Sequence, residues 1–77
     1  MKKIDCLGDI CPVPLMKLQS LEATLKSGGG VMIVTDHSCT CQSLISYCRK
    51  KGYPLRIVEP MSGIWEVSIF PAEKNGG

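Results

Sequence analysis

Residues 6–21, CLGDICPVPLMKLQSL, put Cys11 in front of two prolines one residue apart, Cys11-Pro12-Val13-Pro14. Proline is tolerated in the first turn of a helix, where backbone N–H groups lack intrahelical partners. With Cys11 as N-cap, Pro12 and Pro14 occupy N1 and N3 and fix the turn before anything binds. The Val13 N–H is then expected to stay free beside the sulfur, with Leu15 next in line. A neutral thiol caps poorly compared with Ser, Thr, Asp or Asn. A thiolate, in contrast, sets negative charge against the positive end of the helix dipole, a placement that lowers a cysteine pKa from ~8.5 to roughly 3.5–7.5. Gly8 would let the preceding loop turn without crowding that sulfur. The motif reads as a rigid mount for a nucleophilic sulfur; the competing reading is a small buried cysteine at an inert helix start.

The elements that must carry this mount follow from periodicity. Ile4 and Cys6 alternate with Lys3 and Asp5 in a short strand ending at Leu7-Gly8, and Pro14, Leu15, Leu18, Leu21 and Leu25 form one stripe at helical spacing. Ser27-Gly28-Gly29-Gly30 stops that helix, and Val31–Val34 is apolar on both sides like a central strand. Capping residues at 36–40 precede Cys41, Leu44, Ile45 and Cys48, the apolar face of a second helix closed by Gly52. Leu55–Val58 and Ile64–Phe70 are the last strands, with Pro60-Met61-Ser62-Gly63 as the turn between them. The order β-α-β-α-β-β predicts a two-layer α/β sandwich, two helices on one face of a four-stranded mixed sheet. A single domain over residues 1–71 with a loose tail over 72–77 is expected.

The totals narrow the function. Seventy-seven residues with 44% hydrophobic and 21% charged content describe a soluble globular domain, and a net charge of +2 is too small to imply nucleic acid. Arg49-Lys50-Lys51 sits where cations complement a helix C-terminus. No apolar run approaches a membrane span, and Asp5 interrupts any signal-like segment, which predicts a cytosolic protein. Five cysteines in such a chain point to reactive thiols or metal rather than disulfides.

Asp5-Cys6-Leu7-Gly8-Asp9-Ile10-Cys11-Pro12-Val13-Pro14, with Thr35-Asp36 and Tyr47-Cys48-Arg49-Lys50-Lys51-Gly52-Tyr53 further on, resembles the TusA/SirA/YedF/YeeD sulfur-relay family over nearly the whole chain. The resemblance implies that Cys11 takes sulfane sulfur as a persulfide and passes it to an acceptor thiol, with no cofactor and no metal. It implies as partners a sulfur donor (thiosulfate, a persulfidated cysteine desulfurase or a rhodanese) and an acceptor protein. In the family's tRNA-thiolation carrier a pair of acidic residues follows the second strand, whereas here the segment is Asp36-His37-Ser38-Cys39-Thr40-Cys41. That departure is closer to members linked to thiosulfate uptake, which implies a membrane transporter partner at the inner face of the membrane.

Other readings stand beside this one. Cys39, off the apolar face of its helix, is a candidate second thiol for Cys11; Cys41 falls on that face with Cys48 and reads first as packing, as does Cys6 in its strand. His37 could orient or deprotonate a thiol, or be a solvated neighbour of the helix start. Cys6, Cys11, His37, Cys39 and Cys41 offer enough ligands for zinc, but without the paired C-x2-C spacing of strong sites. The Asn75-Gly76-Gly77 end is similar to the Gly-Gly ends of ubiquitin-like sulfur carriers, whose folds begin with a hairpin this chain lacks. A selenium-handling, redox or regulatory module of the same fold is the remaining alternative.

Overall fold

The computed structural model describes residues 2–10 and 13–72. Cys11, Pro12 and most of the expected tail, residues 73–77, lie outside the described residues. The elements run β1 (Lys2–Asp5), α1 (Val13–Ser20), α2 (Glu22–Lys26), β2 (Val31–Thr35), α3 (Ser38–Lys51), β3 (Leu55–Met61) and β4 (Ile64–Ile69). The four strands form one mixed sheet in the order β1-β2-β4-β3. β1 and β2 are parallel, and β4 folds back between β2 and β3, antiparallel to both.

Strand alternation and helix stripes meet in one core. Val31 and Ile33 of β2 and Val67 and Ile69 of β4 are fully buried against Leu18, Leu25, Leu44 and Cys48 from the three helices. Trp65 is partly buried and packs against this cluster. The helices thus cover one face of the sheet, as two-layer architecture requires.

Two expectations need correction. The stripe from Pro14 to Leu25 forms two helices, not one, so the layer holds three. Ser20 Oγ donates to the Lys17 carbonyl at 2.6 Å, and the Leu21 N–H bonds three residues back to Leu18 at 2.9 Å. That side-chain competitor and the tightened turn end α1, and Leu21 (φ −106°, ψ 12°) starts α2. The stripe survives because the break shifts the axis without moving Leu25 out of the core. Pro60 and Met61 were expected in a turn, yet belong to β3; the pairing shifts between Val58 and Met61, a bulge on an edge strand where a residue without an N–H costs no ladder bond. The bulge and proline also blunt that edge against strand addition.

A polar clasp ties α2 to the C-terminal part of α3. Glu22 accepts hydrogen bonds from the Tyr47 hydroxyl and, at 3.1 Å, from the Tyr53 hydroxyl; Lys51 Nζ lies 4.0 Å from the same carboxylate and 5.8 Å from the Tyr47 ring centroid. The Tyr47 bond, ahead of the Tyr53 bond and the lysines, holds the Glu22 carboxyl below its ordinary range. Burial and the facing carboxylate push Tyr47 up to about 12. Because the folded-state carboxyl pKa is depressed, its contribution is present at neutral pH and lost as pH falls through the folded value, below the usual 4.5. Glu22→Ala is expected to cost about 2 kcal/mol at pH 7, the size of hydrogen bonds to a charged acceptor. Urea unfolding should show that difference shrinking below pH 4.

Candidate functional site

Because β1 and β2 are parallel neighbours, their C-terminal ends reach the same edge of the sheet, and α1 and α3 both start from it. The loop after β1 holds Cys6 to Ile10 and leads to the motif; the loop after β2 holds Asp36 and His37. Gly8 has φ +81°, a conformation side chains resist, and its N–H donates to Asp36 Oδ1 at 3.1 Å. That bond is the main reason the Asp36 carboxyl sits below its ordinary range, and it stitches together two loops 28 residues apart. Gly8 therefore serves the geometry of the loop after β1.

The Val13 N–H is not free. It donates to the Ile10 carbonyl at 2.9 Å. The donor expected to be free is thus taken by Ile10, since an amide at the start of a helix takes whichever acceptor the preceding chain presents. In the first turn of α1 Pro14 is buried and Val13 is exposed.

One turn into α1, Lys17 reaches back along the helix, as helical side chains do, and its Nζ meets Asp9 Oδ2 at 2.6 Å. Asp9 and Lys17 escaped the periodicity reading; the usable signal was a lysine one turn inside a helix facing an aspartate in the loop before it. Beneath them Cys6 is fully buried, its N–H bonded to the Val34 carbonyl at 2.8 Å. Burial raises the Cys6 thiol; Lys17 opposes that, and Asp9 adds to it.

His37 is the N-cap of α3, with extended backbone and no side-chain capping bond. Its N–H donates to Thr35 Oγ1 at 3.2 Å, and its Nδ1 lies 2.7 Å from Asp36 Oδ1, close but poorly aligned for a hydrogen bond. The imidazole thus lies beside the Asp36 carboxylate. Among the described cysteines, all free thiols, Cys39 is exposed in the first turn of α3, whereas Cys41 is 7% exposed and Cys48 fully buried. Burial raises Cys41 and pushes Cys48 up to about 11, so both are protonated and poorly nucleophilic at neutral pH. Among the described residues no three His, Cys, Asp or Glu side chains converge in a way that could hold a metal ion.

No helix of the described residues is long and apolar enough to cross a membrane. The solved structure of a SirA-like protein from Desulfitobacterium hafniense superposes with a TM-score of 0.85 at 32% identity, covering 95% of this chain and all of that one. A Methanocaldococcus jannaschii protein described as a sulfur carrier is 29% identical over 69 residues, 90% of this chain and 92% of that protein. The family model for sulfurtransferase TusA matches residues 2–69. That match spans every strand and helix of the fold, and the chain belongs to the TusA sulfurtransferase family.

Proposed function

We propose that Cys11 is the sulfur-bearing residue, loaded as a persulfide and discharged to the thiol of a partner protein. The Cys11 thiolate attacks the terminal sulfur of a donor persulfide, releasing the donor thiol, or the sulfane sulfur of thiosulfate, releasing sulfite. An acceptor thiolate then attacks the terminal sulfur of the Cys11 persulfide, and Cys11 leaves as thiolate. The family assignment supports sulfur transfer between a donor and an acceptor protein. The persulfide on Cys11, and thiosulfate as the ultimate source with a membrane transporter nearby, are our reading of the motif and of the Asp36–Cys41 segment.

The observation that carries this reading is the surroundings of the motif. Of eight exposed large apolar side chains among the described residues, four flank Cys11 in sequence: Leu7 (45% exposed), Ile10 (69%), Val13 (39%) and Met16 (60%). An enzyme acting on a small molecule encloses its nucleophile in a cleft. Apolar side chains left in water on both sides of the motif in sequence instead fit contact with another protein's surface. Cys39 is the described cysteine available as a second thiol; Cys41 is set into the core and His37 lies beside Asp36.

Incubation with thiosulfate, and separately with a cysteine desulfurase and cysteine, followed by peptide mass mapping, tests the assignment. The expected result is one added sulfur on the peptide carrying Cys11, removed by an acceptor thiol. Sulfur found only on Cys39, or on no cysteine with either donor, would overturn it.

A further inference from the structure

No described helix or strand packs on the face of the sheet turned away from the helices, where Lys3, Asp5, Arg56 and Val58 are exposed around Val34 and Ser68, each 8% exposed. Strand register places Lys3, Met32, Ser68 and Arg56 in one row across this face. The next row along the strands is Asp5, Val34, Glu66 and Val58. Beyond the first row Phe70, whose N–H continues the ladder to the Pro54 carbonyl at 2.8 Å, lies beside Pro54; beyond the second, Ile64 pairs with Met61. Val58, Met61 and Phe70 leave large apolar surface in solvent.

We propose that this face is the interface of a weak, reversible homodimer, related by a two-fold axis lying between the facing sheets, perpendicular to the strands and midway between the two rows. That operation exchanges the rows column by column. Lys3 then faces the partner's Asp5, Met32 the partner's Val34, and Ser68 donates to the partner's Glu66. Arg56 covers the partner's Val58, with its guanidinium one column from the partner's Glu66. In the outer rows Phe70 meets the partner's Ile64, and Pro54 the partner's Met61. Opposite charges pair at the β1 edge, and an apolar and a polar pair meet side by side in the two central columns. An axis along the strands would instead set Lys3 against the partner's Arg56. The favoured operation keeps the stacked strands aligned, as in sheet-on-sheet packing, and every contact occurs twice, as an isologous interface requires.

Area sets the strength. Four strands at ~4.8 Å and four rows at roughly 6.7 Å span about 15 by 20 Å, or on the order of 400–500 Å² with side chains. Stable complexes bury about 800 Å² per partner, so dissociation on the order of 100 µM is expected. The loops after β1 and β2 of the two copies point to opposite ends of such a dimer, leaving both motifs accessible.

Sedimentation velocity on the full chain, from micromolar to millimolar concentration, tests this. The expected result is a concentration-dependent shift from monomer to dimer, weakened by salt. Val58→Asp, which alters an exposed side chain, should remove it. Lys3→Glu and Asp5→Lys should each weaken it, and mixing those two variants should restore association, because each mixed contact then joins opposite charges. Urea unfolding curves would confirm that all variants are folded. A monomer throughout the range, a dimer indifferent to Val58→Asp, or variants that do not recover on mixing would each overturn the proposal.

Discussion

Cys11→Ser is expected to reduce sulfur loading and transfer to background while leaving the unfolding curve nearly unchanged. Serine is close to cysteine in size and brings a hydroxyl oxygen, a better helix cap than a thiol, so no loss of stability is expected from the exchange. What is lost is the sulfur, the only atom at this position able to accept and surrender a sulfane sulfur. The rest of the chain does not replace it. Cys6 and Cys48 are fully buried and Cys41 nearly so, with thiols raised by burial. Cys39 alone among the described cysteines is exposed. Residual sulfur in Cys11→Ser should therefore map to Cys39 and disappear in Cys11→Ser combined with Cys39→Ser. The measurement is intact-mass analysis after incubation with each donor, followed by a discharge assay with a small acceptor thiol. Wild-type levels of loading in Cys11→Ser would remove the basis of the proposed function.

How far the sequence shows this outcome depends on the range of the interaction involved. Hydrophobic period revealed every strand, the two helical stripes and the phase of α3, which separates exposed Cys39 from buried Cys41, because period encodes which face is buried. It did not reveal the break at Leu21, where one serine hydroxyl takes a backbone carbonyl without disturbing the apolar stripe. Nor did it extend β3 through Pro60, because proline signals a turn unless the strand is known to be an edge with a bulge, and strand order is not written in local pattern. Around the motif the same limit applies. Cys-Pro-x-Pro is local and legible, whereas the Gly8–Asp36 stitch joins residues 28 apart and depends on β1 and β2 being parallel neighbours. The Val13 amide was misjudged for the same reason: a helix-start donor is free only if the loop before it offers no carbonyl, and Ile10 offers one.

Leu44→Ala is expected to remove roughly a quarter or more of the chain's stability. Leu44 is fully buried at the centre of α3, in the same cluster as Leu18, Ile33 and Val67, so truncation removes contacts on several sides at once. Such substitutions cost 2–5 kcal/mol, about 3 at a site that relaxes partially. At roughly 0.05–0.15 kcal/mol per residue, a chain of 77 residues holds about 4–12 kcal/mol in total. The layer has little spare material to refill the space, since its first stripe is already divided between α1 and α2. Ile45, next in sequence and only partly buried, is the control: Ile45→Ala should cost less than half as much. Urea unfolding of both variants at 25 °C gives the comparison directly. Sulfur loading of Leu44→Ala measured at low temperature should stay near wild type, because the thiol chemistry at residue 11 needs the β1/β2 edge folded rather than a fully packed α3. A Leu44→Ala chain that is folded yet unable to load would instead place α3 packing within the transfer step itself.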